Sequence, residues 1–109
     1  KSDVKELFRV EASGIVRARR VRVDTETWPD YVFEDHYSLM PLQEVETYLK
    51  TNKHLPAIPS ESEIKSSGID LGEMQVKLLE KVEELTLYLI EQNKEIEKLK
   101  AELQTLQKK

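Results

Sequence analysis

The chain has 109 residues, 39% of them apolar and 35% charged, with a formal net charge of −4. One short domain or two small subdomains fit this length and a large enzyme core does not, while so high a charged fraction suits an exposed helical rod with a small head. With no cysteine, disulfides, thiolate nucleophiles and zinc–cysteine sites are excluded. No run nears the roughly 20 apolar residues that cross a bilayer, and the amino end lacks the order of a signal peptide. The chain therefore reads as a soluble fragment with no membrane insertion.

Residues 1–27 read as a β-hairpin. Phe8 and Val10 share one parity, as do Val16 and Ala18. A three-residue loop of Ala12, Ser13 and Gly14 pairs Val10 with Val16 and Phe8 with Ala18, whereas a two-residue loop sets them beside arginines. Gly14 then stands where the turn wants a left-handed residue. After Ala18 the apolar parity slips to Val21 and Val23, which predicts a break at Arg19 or Arg20. Such a hairpin is marginal alone, so neighbours from an oligomer or a longer chain are expected. The segment is also the basic one: through Asp24, seven basic residues oppose four acidic ones, against three and nine in 25–70 and seven and eight in 71–109.

Residues 28–70 read as a small aromatic-rich head with two short helices. It opens on Trp28-Pro29-Asp30-Tyr31-Val32-Phe33, followed by His36 and Tyr37. Pro41 suits the first turn of a helix striped by Leu42, Val45 and Leu49 and ending near Asn52. Leu55-Pro56-Ala57-Ile58-Pro59 cannot be helical and is expected to run extended. Ser60 and Glu63 then make a capping box for a second helix that Gly68 stops.

Residues 71–109 carry the strongest pattern. Heptad position a takes Gln75, Val82, Leu89, Ile96 and Leu103, and position d takes Leu71, Leu78, Leu85, Gln92, Leu99 and Leu106. Only the two glutamines interrupt this seam, which predicts a coiled coil, with Asp70 and Glu73 capping its start. At about 1.5 Å per residue it spans roughly 58 Å, more than the head can cover, so partner helices are needed. Leu79 at e, Leu87 at f, Tyr88 at g and Ile90 at b make 85–90 apolar nearly all round. The head is expected to fold back there, setting Trp28, Tyr31, Phe33, Leu42, Val45, Leu49 and Ile58 against Leu79, Leu87 and Ile90. The fold class is thus α+β: a hairpin, a small helical and extended head, and a long C-terminal parallel coiled coil. Valine and isoleucine at a with leucine at d favour a dimer by rule.

The runs Trp28 through Phe33, Tyr37-Ser38-Leu39-Met40-Pro41-Leu42, Asn52-Lys53-His54-Leu55-Pro56, Leu71-Gly72-Glu73-Met74 and Glu80-Lys81-Val82-Glu83-Glu84-Leu85-Thr86-Leu87-Tyr88 resemble the C-terminal module of Bacteroidetes tail-fibre-like and cell-surface fibrous proteins. The resemblance covers the chain from about Leu7 onward. It implies the terminal cap of a trimeric, phage-derived or secreted fibre, with the hairpin of residues 1–27 continuing an upstream shaft, located outside the cell, on its surface or on a tail-like particle. Together with the apolar girdle it tips the expectation to a homotrimer, a dimer being the alternative. Related fibres also carry a self-cleaving chaperone with a Ser-Asp signature. Ser2-Asp3 here runs into Val4-Lys5-Glu6 without the expected basic spacing, so proteolysis is not carried over.

Catalytic and ligand chemistry find little support. His36 and His54 lack a metal-motif spacing, and Ser60 and Ser62 read as helix-start residues without a nucleophile elbow. None of the three glycines belongs to a phosphate loop: Gly14 fits a turn, Gly68 a stop and Gly72 a close approach to the helix start. The rod's glutamates read as a solvated face. Arg17, Arg19, Arg20 and Arg22 with Trp28 and Tyr31 could meet nucleic acid, but the acidic chain and the pairing available from Glu11, Asp24 and Glu26 weigh against it. No catalytic residue, cofactor or metal is expected. Two function classes remain: a structural module for oligomerisation, assembly and capping, and a tip that recognises a cell-surface receptor or glycan.

Overall fold

The computed structural model describes residues 6–108. Ser2 and Asp3, the rest of the first five residues and Lys109 lie outside them. Strands β1 (Phe8–Val10) and β2 (Val16–Ala18) pair antiparallel with Phe8 opposite Ala18 and Val10 opposite Val16. The Glu11 N–H donates to the Ile15 carbonyl at 2.8 Å and the Gly14 N–H to Glu11 at 2.9 Å, closing the loop over Ala12, Ser13 and Gly14. Gly14 has φ 95°, open to glycine at no steric cost. The ladder ends at Ala18, and both strands are exposed on both faces.

The chain then descends to the long helix. Val23 lies over Gly72, where a Cβ would overlap the Val23 Cγ1, so a buried glycine permits this approach. A 3-10 helix, Pro29–Phe33, follows, with proline in its first turn. Side chains three apart eclipse in that geometry, which sets Pro29 and Val32 on one side, and these two are buried. Val32 is 1% exposed, and it and Pro29 are the fully buried side chains of the head among the described residues. The aromatic neighbours expected to form the head core stay largely out: Trp28, Tyr31 and Phe33 are 56%, 41% and 52% exposed.

Helix α1 (Leu42–Asn52) starts after Pro41 and ends on Lys53, whose φ of 63° is left-handed. The expected extended run at 55–59 is instead a turn, with the Ile58 N–H donating to the Leu55 carbonyl at 3.1 Å and Ala57 at φ 66°. Pro56 pre-sets φ of the first central residue of such a turn, and Ala57 takes the left-handed second position. Helix α2 (Glu61–Ser67) carries both halves of its capping box: the Glu63 N–H donates to Ser60 Oγ and the Ser60 N–H to Glu63 Oε1 at 3.0 Å. Helix α3 (Leu71–Gln107) starts with the Glu73 N–H donating to Asp70 Oδ1 at 2.9 Å. The molecule measures 82 × 37 × 27 Å with a radius of gyration of 21.9 Å, against about 13 Å for a compact domain of this length.

Candidate oligomerisation interface

Helix α3 has two distinct faces. Around a heptad wheel the order of positions is a, e, b, f, c, g, d, so b, f and c lie opposite the seam. The residues buried or half-buried toward the head include Gly72, Val76, Leu79, Glu80, Glu83, Glu84 and Leu87 at e, b, f or c, with Met74, Lys81 and Tyr88 half-buried at the flanking position g. The head therefore occupies the back of the helix and leaves its front bare. On that front Leu71, Leu78, Val82, Leu85, Leu89, Ile96, Leu99, Leu103 and Leu106 are 47–69% exposed, and Gln75 and Gln92 are exposed in line with them. Residues 89–108 are exposed throughout, so the second half of α3 touches nothing in its own chain that would bury it.

The back face is held by polar groups. The Tyr31 hydroxyl donates to Glu80 Oε2, and the Tyr37 hydroxyl donates to Glu84 Oε2 at 2.5 Å. These glutamates are four apart and hence stacked on one side of the helix, matching two tyrosines whose ring centroids are 5.9 Å apart. Lys81 adds an ion pair to Glu84 at 3.0 Å. From the helix side, the Tyr88 hydroxyl donates to the Met40 carbonyl at 2.5 Å. The bond to Glu80, then burial, pushes Tyr31 up to about 12. Burial first and the Glu84 bond second push Tyr37 further up, and burial also raises Tyr88.

Glu83 sits between these pairs, 9% exposed, with Oε1 buried and lacking a hydrogen-bond partner among the described residues. Burial raises its carboxyl above the usual range, with Asp30 and Glu80 adding to the shift. The glutamates read as a solvated face are thus in part the docking surface of the head. The signal was present in the i, i+4 pair Glu80 and Glu84 and in two nearby tyrosines, but acidic residues on a coiled-coil exterior look alike whether solvated or bonded.

Of the apolar residues expected at the head, Leu79 and Leu87 are half-buried and Ile90 is 47% exposed. Leu87 and Ile90 line a shallow depression with Val32, Phe33 and Leu39. Val45 and Leu49 are half-buried, as is Ile58 in its turn, and Leu42 is 44% exposed. The stripe of α1 does not close on α3: an apolar cavity of about 350 Å³ separates them, walled by residues that include Leu42, Val45, Leu49, Leu85 and Tyr88.

Arg17 pairs with Glu11 at 2.5 Å, and Arg9 bridges Glu6 and Glu11. Among the described residues Arg19, Arg20 and Arg22 stand exposed outside such pairs. His54 Nδ1 lies 3.0 Å from the Leu55 carbonyl oxygen, which can only accept, and its ring meets Tyr48 edge-on. His36 is exposed. Among the described residues no three His, Cys, Asp or Glu side chains gather as a metal site, and no helix is long and apolar enough to cross a membrane. Compared with family models, curated proteins and solved structures, the chain matches none of them.

Proposed function

We propose that this chain is a non-enzymatic oligomerisation, assembly and capping module of a fibrous, tail-fibre-like or surface protein, acting through a parallel homotrimeric coiled coil. The observation that carries the reading is the bare seam: nine apolar residues on the front of α3 are about half exposed or more, while the head takes the opposite face. A leucine fully buried from water contributes about 1.5–3 kcal/mol, so burying the remainder of nine such residues offers on the order of 10 kcal/mol per chain. That is comparable with the roughly 4–15 kcal/mol lost in association. Gln75 and Gln92 form polar layers that fix register at some cost in stability.

The module nucleates a shaft whose strands pair slowly. Long-range strand pairing meets a loop-closure cost before its contacts form, and separate chains must also meet in register. Once the seam has closed, the strand segments at Phe8 and Val16 are held at high effective concentration and pair rather than aggregate by their edges. Deleting residues 71–107 from a longer parent chain is expected to abolish soluble trimer; an undiminished yield of assembled fibre overturns the reading. Recognition of a receptor or glycan is the second reading, favoured by the exposed rings of Trp28 and Phe33. Replacing both with alanine separates the two, since only recognition depends on them while trimer yield does not.

A further inference from the structure

The open cleft between α1 and α3 lies on a particular side of the helix. Its α3 wall is built by Lys81, Glu84, Leu85 and Tyr88, at positions g, c, d and g. Its other wall is the α1 stripe with Leu55 from the following turn. Leu85 therefore belongs to two surfaces at once, the seam and the cleft, and the apolar front of α3 runs without interruption onto α1. Protein interiors hold few voids larger than a water molecule, and a cleft of about 350 Å³ with apolar walls is space that a packed assembly fills. In a parallel coiled coil the g side of one helix faces the e side of the next. Lys81 at g thus faces position 86 of the neighbour, and what enters the cleft is the neighbour's Thr86 with Val82 and Leu89 beside it.

We infer that the cleft is the seat of a second copy of this chain, so that α1 of each protomer clamps the e side of the neighbouring α3 and the heads interlock around the rod. This rests on the seam reading above and adds a cross-protomer contact to it. Thr86 is exposed in its own chain and free to be covered in this way.

The absence of cysteine makes the contact testable in the full chain. Val45→Cys and Thr86→Cys are made as separate single variants, mixed, denatured and refolded together, and treated with a short thiol cross-linker. A link between positions 45 and 86, identified by peptide mapping, can arise only between protomers and is the expected product. Light scattering on the same sample separates the two layers of the argument. An oligomeric mass without the 45–86 link overturns the clamp and leaves the seam standing, while a monomeric mass overturns both. As an independent readout, Val45→Asp is expected to weaken association of the oligomer by at least tenfold, and an unchanged dissociation constant counts against the clamp.

Discussion

Tyr37 and Glu84 show how a head of this size stays on its rod. Their bond, at 2.5 Å and partly buried, joins a neutral donor to a carboxylate, the stronger kind of hydrogen bond. Tyr37→Phe is expected to cost about 1 kcal/mol in thermal or urea unfolding. The double variant with Glu84→Gln should cost less than the sum, because the two side chains share one interaction. Tyr31 adds a pH signature: its folded value of about 12 lies above the ordinary 10.0. Its contribution is therefore complete below pH 10 and is lost as pH climbs through the folded value. Tyr31→Phe should flatten the alkaline limb of the stability curve while leaving its neutral part parallel to that of the unmodified chain. Glu83 acts in the opposite sense at neutral pH. Its folded value is raised above 4.5, so its contribution is favourable below pH 4.5 and is lost as pH rises through the folded value. Glu83→Gln should raise the melting temperature at pH 7, with the gain vanishing in acid. A loss of stability at pH 7 instead counts against an unpartnered Glu83 carboxylate.

Among the elements, the joint between the hairpin segment and α3 depends on one missing side chain. An alanine at 72 favours the helix by up to about 1 kcal/mol over glycine, yet its Cβ collides with the Val23 Cγ1. Gly72→Ala is expected to keep or raise the helicity of α3 while releasing residues 19–27, read as faster limited proteolysis of that segment. Unchanged protection shows that Val23 moves aside without detaching. What the sequence made legible follows from how local each signal is. The hairpin register needed only side-chain parity and Gly14, and the caps at Ser60 and Asp70 needed only a residue and its partner three positions on. Helix α3 and its apolar line were legible because the pattern repeats. The 3-10 helix at Pro29–Phe33 was not, since five residues show no period and its buried pair, Pro29 and Val32, is smaller than the neighbouring rings of Trp28, Tyr31 and Phe33 that look like the core. The turn at Leu55 and Ile58 was read as extended because Ala57 is an unusual occupant of a left-handed position that glycine ordinarily takes. The tyrosine–glutamate bonds span 47 and 49 positions, beyond what spacing alone can join.

For the whole molecule the question is what a chain with so little interior of its own does to remain folded. Two fully buried apolar side chains, Pro29 and Val32, among the described residues cannot offset an ordering cost of about 1–2 kcal/mol per residue. The half of α3 beyond the head is a solvated helix without a packed face of its own, and packing of such a face supplies most helical stability in proteins. The proposed association along the seam would supply both missing terms and make stability depend on concentration. Leu89 isolates this effect, because it is 69% exposed and lies past the last residue that the head covers. In a lone chain Leu89→Asp is a surface change expected to stay within about 0.5 kcal/mol. In a closed seam it sets one carboxylate per chain into a shared apolar layer, like charges in a dry site that each lose several kcal/mol of hydration. The variant should therefore sediment as a monomer at concentrations where the unmodified chain is oligomeric, and lose much of the helical signal of residues 89–107. Lys98→Asp, on the outer position c, changes the charge nearby and should leave the mass unaltered. If both variants keep the mass and helicity of the unmodified chain, the front of α3 is not where the copies meet.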